Sequence, residues 1–445
     1  MAGSENVFLF YREDFIMQPV LQVALDFVNA EQALRVAAEA AQGGADWIEA
    51  GTPLIKSEGL DVVRKLKNNF RDKKIVADMK VMDAGRTEVE AAAKAGADIV
   101  DVLACASDST IYECVETAGR FGVKIAVDMI GVNDITARAE RVASLGADFV
   151  VVHTSIDDQM KGGSPFSKLE DLAGKIRIPV GAAGGINSET CVDAVVHGAS
   201  IVVVGGAITK SADAKHAAAQ IKNAMKTRTR VRSDLFTRVD SGAVREALLK
   251  VSTSNISDAM HRAREMVGIR CRVPGAKMAG PAFTVRTAPG DWARPVAAID
   301  MAEPGSVLVV DAGGVPPAVW GELATNSARG RGLAGIVIDG AIRDSADIRE
   351  LGLPVFSRHV ASAAGEPKGF GETNTMIYAG HRQVRPGDWI AGDDDGVMVI
   401  PASRADEIAN RSMDVLEREN RIRAEIKDGS TLSAVVELLK WEKQT

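Results

Sequence analysis

The chain has 445 residues, 46% of them hydrophobic and 25% charged, the make-up of a globular protein with apolar content for two or three packed domains. Its formal net charge of −7 argues against nucleic acid as a partner, because that binding rests on a basic surface. Four scattered cysteines without CxxC spacing argue against a disulfide framework or a zinc site and fit a reducing cytoplasm, and no apolar run approaches the ~20 residues that span a bilayer.

The opening residues, MAGSENVFLFYREDFIM, lack the basic start and small-residue cleavage site of a signal peptide, so residues 1–17 read as an extension ahead of the fold. One phrase then returns four times: GGADWIEAG from Gly43, AGADIVDVL from Ala95, LGADFVVVH from Leu145 and HGASIVVVGG from His197. Between the copies, at a period of about fifty residues, lies a second β-rich run: VLQVALD (20–26), KIVADMK (74–80), VKIAVDMI (123–130) and IPVGAAGG (178–185). Alanine-rich segments with apolar residues at helical spacing separate them. The Gly-Ala pairs mark helix ends, where glycine permits a left-handed cap. Eight alternating strand–helix units predict an α/β fold, a (β/α)8 TIM barrel over residues 18–225. A doubly wound sheet is the rival, and the even period favours closure.

A barrel of this kind places its chemistry at the C-terminal ends of its strands. Read in order, those ends are Asp26, Glu49, Asp78 with Lys80, Asp101, Asp128 and His153, followed by the glycine pairs Gly184–Gly185 and Gly205–Gly206. Any single one of these ionisable groups reads equally well as a capping or salt-bridged residue. Six successive strand ends occupied in this way point to one shared site. In KIVADMKVMDAG (74–85), Asp78 and Lys80 share a strand face and Asp83 falls on the turn, so charge gathers where desolvation opposes it. The glycine pairs stand where many barrels hold a phosphate with backbone N–H groups. The expected substrate is therefore a small phosphorylated molecule.

DMKVMD carries the D-x-K-x-x-D pattern of the orotidine-monophosphate decarboxylase superfamily. IEAGTPLIKSEG (48–59), VADMKVMDAG (76–85) and VVGGAI (203–208) resemble the 3-hexulose-6-phosphate synthases within it. The likeness runs from about Gln18 to Met225. It implies that Glu49 and Asp78 hold Mg²⁺, or Mn²⁺ as the alternative, a hard cation suited to carboxylate oxygens. It implies too that Lys80 neighbours the reacting oxygens and that Asp83 reaches across a dimer interface. His153 suits the proton transfer, with a reference pKa of about 6.5, and Asp26 is expected to hold Lys80 charged and oriented. The implied reaction condenses formaldehyde with ribulose 5-phosphate, or runs in reverse, through an enediolate. The 3-keto-L-gulonate-6-phosphate decarboxylases share most of these motifs and stand as the alternative.

MKTRTRVRSD (225–234) is polar and basic without an apolar period, so 226–234 reads as a linker, and 235–445 forms the second domain. VREALLKVSTSNISDAMHR is a helical signal in which Ser254 or Asn255 would cap a second helix. The runs GPAFTVRTAP, GSVLVVDAGG, GIVIDGAIRD and WIAGDDDGVMVIP read as strands between Gly and Pro turns. They predict an α/β domain without the barrel's period. The charged, periodic stretch from Ala405 to Leu439 predicts a helical arm.

VWGELATNSARGRGLAGIVIDGAIRDSADIRELGLPVF (319–356) resembles the family named for the regulator of ribonuclease E activity A (RraA), which includes the 4-hydroxy-4-methyl-2-oxoglutarate aldolases; the likeness covers about Leu235 to Pro401. Glu322, twenty intervening residues, then Arg343, Asp344 and Asp347 match the aldolases' acid, Arg-Asp and further acid. The resemblance implies that Asp344 anchors a divalent metal, that Arg343 binds the substrate, and that Glu322 supports metal-bound water. The backbone N–H groups of Gly321, Glu322, Leu323 and Ala324 would hold the carboxylate of a small 2-oxo acid. The other reading of this half is a regulatory binding module. For assembly the expectation is a homo-oligomer, with a barrel dimer and a trimer open for the second domain, in the cytoplasm and without a membrane partner.

Overall fold

The computed structural model describes residues 18–436 except 173, 234, 240 and 241. The expected extension at 1–17 and the end of the arm lie outside the described residues. Two compact units result: one takes in the chain up to Gln159, Gly163–Thr237 and the chain from Glu417, the other Met160–Gly162 and Arg238–Leu416.

In the first unit eight parallel strands close in sequence order. They are β1 (Val20–Leu25), β2 (Trp47–Ala50), β3 (Lys74–Val81), β4 (Ile99–Leu103), β5 (Lys124–Asp128), β6 (Phe149–His153), β7 (Val180–Ala183) and β8 (Ile201–Val204). β8 pairs back onto β1, so the doubly wound alternative is set aside. Alternation along each strand explains the two layers. Ala24, Val76, Ile99, Ala126, Val151, Ala183, Ile201 and Val203 fill the barrel, while Leu21, Val23, Ile48, Ile75 and Ala77 face outward under the helices. At the N-terminal end the ring of Trp47 meets Phe149 edge-on at 5.6 Å.

The repeated Gly-Ala-Asp phrase has a local cause. Gly44, Gly96, Gly146 and Gly198 end their helices at φ between +98° and +100°, where a side chain would be strained. The aspartate that follows then accepts a strand N–H: Asp46 from Leu21 at 2.7 Å, Asp98 from Ile75 at 2.8 Å and Asp148 from Ile125 at 2.9 Å. In three of the four copies the phrase therefore ends a helix and fastens the next strand to its neighbour; the fourth has Ser200 in place of the aspartate.

The second unit holds a mixed sheet. Met278–Arg286, Val307–Asp311, Gly335–Ile342 and Val355–Val360 run parallel in that spatial order. WIAGDDDGVMVIP, expected as one strand, is a hairpin of Trp389–Asp393 and Gly396–Ile400, which pairs antiparallel to Met278–Arg286. Apolar clusters cover both faces of this sheet, as parallel strands require. The second helix at Thr253–Ala259 is capped by Ser252, not by Ser254 or Asn255, in a box where Asn255 bonds back to the cap. The arm forms as a helix over Ala405–Lys427, followed by Leu432–Val436. No helix of the described residues is long and apolar enough to cross a membrane.

Candidate active site

The ionisable strand ends of the barrel meet at one mouth. Glu49 on β2, Asp78 on β3, Asp101 on β4 and Asp128 on β5 are all buried. Gln22, which alternation on β1 turns inward, donates to Glu49 Oε2 at 2.6 Å. Thr52, opening the helix Thr52–Glu58, donates to Asp78 Oδ2 through its N–H at 3.2 Å and its hydroxyl at 2.6 Å.

β3 departs from a regular strand where the chemistry lies. Val76 and Ala77 pair with Ile99 and Val100, but Val102 pairs with Val81, so β3 holds two extra residues. The bulge contains Lys80 at φ +47°, a left-handed conformation uncommon away from glycine and often found at functional sites. It delivers the Lys80 ammonium to Asp78 Oδ1 at 3.1 Å and to Asp128 Oδ2 at 2.9 Å. Asp26 was expected to help hold Lys80; the hydrogen bonds to the ammonium come from Asp78 and Asp128, and Asp26 interacts with it through charge. Burial opposes the ammonium, yet the charges of Asp128 and Asp78 outweigh it and raise its pKa.

Asp128 also receives His153. Its Oδ2 lies 2.7 Å from His153 Nδ1, and its Oδ1 accepts the N–H of Ile130 at 2.9 Å. Burial alone would raise this carboxyl; the hydrogen bond and charge of His153, then Lys80, hold it down at about 2. A carboxylate accepting from Nδ1–H leaves Nε2 as the ring nitrogen that exchanges protons. Gln22 and Thr52 are the neighbours of these acids that sequence reasoning missed, and Asp128, read there as a strand end, was given no part beside Lys80 and His153. The missed signals were alternation on β1 and the helix start after β2.

The acids exceed the cations. Burial first, then the charge of Asp78, push the carboxyls of Glu49, Asp101 and Asp26 upward. Asp101 Oδ1 is buried without a hydrogen-bond partner among the described residues. Such a mouth fits a divalent cation. Among the described residues no group of three or more His, Cys, Asp or Glu side chains could hold a metal ion. Mg²⁺ asks for less, taking one or two carboxylates together with water and substrate oxygens. Glu49 and Asp78, on adjacent strands, are the two carboxylates that would serve.

The glycine pairs leave neighbouring strands, since Ala183 pairs with Val203. Gly184 has φ +105°, and a Cβ there would collide with the carbonyl of Thr154. Gly205 adjoins Asp26, with a Cβ built on it 3.5 Å from Oδ2, and Gly206 starts the short helix Gly206–Thr209 beneath the Lys210 side chain. Asp83 is exposed and accepts the N–H of Ala84 at 2.7 Å.

In the second unit Arg343 and Asp344 lie beside the start of the helix that Glu322 opens. Gly335–Ile342 ends at Arg343, whose N–H bonds the carbonyl of Trp320 at 2.9 Å. This sets Asp344 against the start of the helix Glu322–Gly330, where its Oδ2 accepts the Glu322 N–H at 3.2 Å and lies 3.4 Å from Arg343 Nε. A Cβ on Gly321 would stand 2.6 Å from that oxygen, so the close approach needs glycine. Leu323 is 78% exposed, Ala324 packs towards the core, and Asp347 is exposed on the next helix.

Residues 19–221 match the family described as Orotidine 5'-phosphate decarboxylase / HUMPS family, and residues 253–399 match the RraA-like family, Aldolase/RraA. The 3-hexulose-6-phosphate synthase of Mycobacterium gastri is 43% identical over 205 residues, 46% of this chain and 99% of that protein. That of Bacillus subtilis (strain 168) is 40% identical over 203 residues, 45% of this chain and 96% of that protein. A crystal structure of a 3-hexulose-6-phosphate synthase superposes with a TM-score of 0.45 at 43% identity, over 46% of this chain and 99% of that one.

Proposed function

The chain belongs to the orotidine 5'-phosphate decarboxylase / HUMPS family through residues 19–221 and bears an RraA-like domain at 253–399, and from that premise we propose that its barrel condenses formaldehyde with ribulose 5-phosphate to give a hex-3-ulose 6-phosphate, or cleaves it. The observation that supports this most is the His153–Asp128–Lys80 chain beside Glu49 and Asp78, which joins a proton carrier to a fixed positive charge. The N–H groups around Gly184, Gly185, Gly205 and Gly206 bind the phosphate. His153 Nε2 takes the C1 proton of the ketose phosphate, with Nδ1 fixed by Asp128. Lys80, kept charged by two carboxylates, stands against the negative charge of the enediolate, whose C1 then attacks formaldehyde, and the His153 imidazolium returns its proton to the alkoxide so formed. Glu49 and Asp78 would hold Mg²⁺, which when bound would supply further positive charge to stabilise the enediolate. The exposed Asp83 serves the partner subunit's site in a barrel dimer, and the setting is cytoplasmic.

The test is an aldol assay of the full chain with ribulose 5-phosphate and formaldehyde. Activity is expected with Mg²⁺ or Mn²⁺ and loss of it with a chelator. Formaldehyde consumption unaffected by chelation would sink the metal-dependent mechanism.

For the RraA-like domain we propose a C–C lyase acting on a small 2-oxo acid, supported by the meeting of Arg343 and Asp344 at the backbone N–H of Glu322. Arg343 grips the substrate carboxylate bidentately, which lysine does not reproduce, and Asp344 is the carboxylate that would hold a divalent ion. The full chain is expected to release pyruvate from 4-hydroxy-4-methyl-2-oxoglutarate or oxaloacetate. Arg343→Lys should remove most of that activity, by about tenfold or more. A parent protein inert to a panel of 2-oxo acids would favour a regulatory binding role.

A further inference from the structure

The helix Ala405–Lys427 contributes, from Glu417 onward, to the same compact unit as the barrel. Arg421 in that part is nearly buried, at 7% exposure. Its guanidinium forks onto Glu39, with Nη2 2.9 Å from Oε1 and Nη1 3.0 Å from Oε2. Nη1 also donates to the carbonyl of Ser211 at 3.1 Å and lies 3.4 Å from that of Ala212, while Nε donates to Glu425 at 2.9 Å. Glu39 Oε2 in turn accepts the N–H of Ala214, the first residue of the helix Ala214–Thr227, at 3.2 Å.

We infer that Arg421 is a positioning residue for phosphate binding by the barrel: a guanidinium from the C-terminal helix fixes the loop that leaves β8. The connection to the loop is short. Ser211 N–H bonds Ile208 O at 3.2 Å and Lys210 N–H bonds Gly206 O at 2.9 Å, so the gripped carbonyls belong to the same turn of chain as the glycine pair. Lys210, directly before the grip, lays its side chain along Gly206. A buried arginine is costly unless its donors are satisfied; here they are spent on the loop, on Glu425 and on Glu39, which holds the loop's other end. The M. gastri synthase is matched over 99% of its length by 205 residues of the N-terminal half, so the clamp is an addition of this longer chain. It gives the C-terminal helix a role in the barrel's chemistry.

The inference rests on the proposed use of the glycine loops for phosphate, not on the aldol step, so its test uses inorganic phosphate. Calorimetric titration of the full chain is expected to give a phosphate Kd about fivefold weaker for Arg421→Gln, the scale of one lost ordering hydrogen bond. Arg421→Lys, which keeps the charge but not the fork, should recover part of it. KM for ribulose 5-phosphate should rise by a similar factor with kcat within about twofold, a split that general destabilisation would not produce. Glu39→Gln, which leaves Arg421 its Glu425 partner, is the second variant should Arg421→Gln fail to fold, and it too should weaken phosphate binding. Unchanged phosphate affinity in the folded variants, or no phosphate binding by the parent, overturns the inference. A parent that binds phosphate but consumes no formaldehyde refutes the aldol reading alone and leaves this comparison decisive.

Discussion

Asp78→Asn is expected to lower the aldol activity at least about a thousandfold while leaving the fold intact. The two halves of that expectation have separate causes. Asp78 accepts from Thr52 at 2.6 Å and 3.2 Å, and the carbonyl oxygen of asparagine can keep those bonds, so the start of the helix Thr52–Glu58 should survive. The charge does not survive. An amide in place of Asp78 Oδ1 would set N–H groups against the Lys80 ammonium, now 3.1 Å away, and remove one of the two carboxylates proposed for the cation. Circular dichroism and melting should match the parent while formaldehyde-dependent product formation vanishes. Appreciable turnover in a folded Asp78→Asn protein would show that the carboxylate is dispensable and the proposed chemistry wrong.

Asp128→Asn should lower kcat by about a hundredfold to ten-thousandfold, the range expected for disabling a general acid–base pair. One oxygen of Asp128 serves both His153 Nδ1 at 2.7 Å and the Lys80 ammonium at 2.9 Å. An asparagine carbonyl offers weaker acceptance to both, and its amide favours the wrong tautomer of the ring. The acid limb provides a second readout. The Asp128 carboxyl is held down at about 2 against an ordinary 3.8. A depressed carboxylate stabilises the fold above its unfolded pKa and loses that contribution as pH falls through the folded value. The parent should therefore lose stability between about pH 4 and pH 2 by more than the variant does. Parallel acid-denaturation curves would mean that the carboxylate gains nothing from its partners.

Much of the barrel and part of its site were legible in the chain because the signals are local. Alternation with period two sorts Val76 and Asp78 inward and Ala77 outward whatever lies across the barrel. Glycine at positions 44, 96, 146 and 198 states a backbone conformation on its own. Strand ends identified Glu49, Asp78 and His153 as one group, because closure in sequence order brings such ends to one mouth. The Arg343–Asp344 pair was legible for a similar reason, being adjacent in the chain and just past a strand.

The pairings within the site were decided only by the tertiary structure. Asp26 was expected to help hold Lys80, and the hydrogen-bonding role of Asp128 was not foreseen: two extra residues in β3 and a left-handed Lys80 turn its ammonium to Asp128, and no pattern of residue types announces a bulge of that length. The cap at Ser252 was chosen over its neighbours in STSN by distant chain: Asp393, on the hairpin, accepts the Thr253 N–H at 2.8 Å and its hydroxyl at 2.6 Å. Arg421 meets Glu39 across 382 positions, a contact that helical periodicity leaves as one more charge on an exposed face. Propensity and alternation are set by a residue's immediate neighbours, and the sequence by itself therefore determined the elements and which side chains point inward. Which buried charge meets which depends on register, closure and the docking of remote helices, where desolvation makes each partner matter, and only the folded chain decided that.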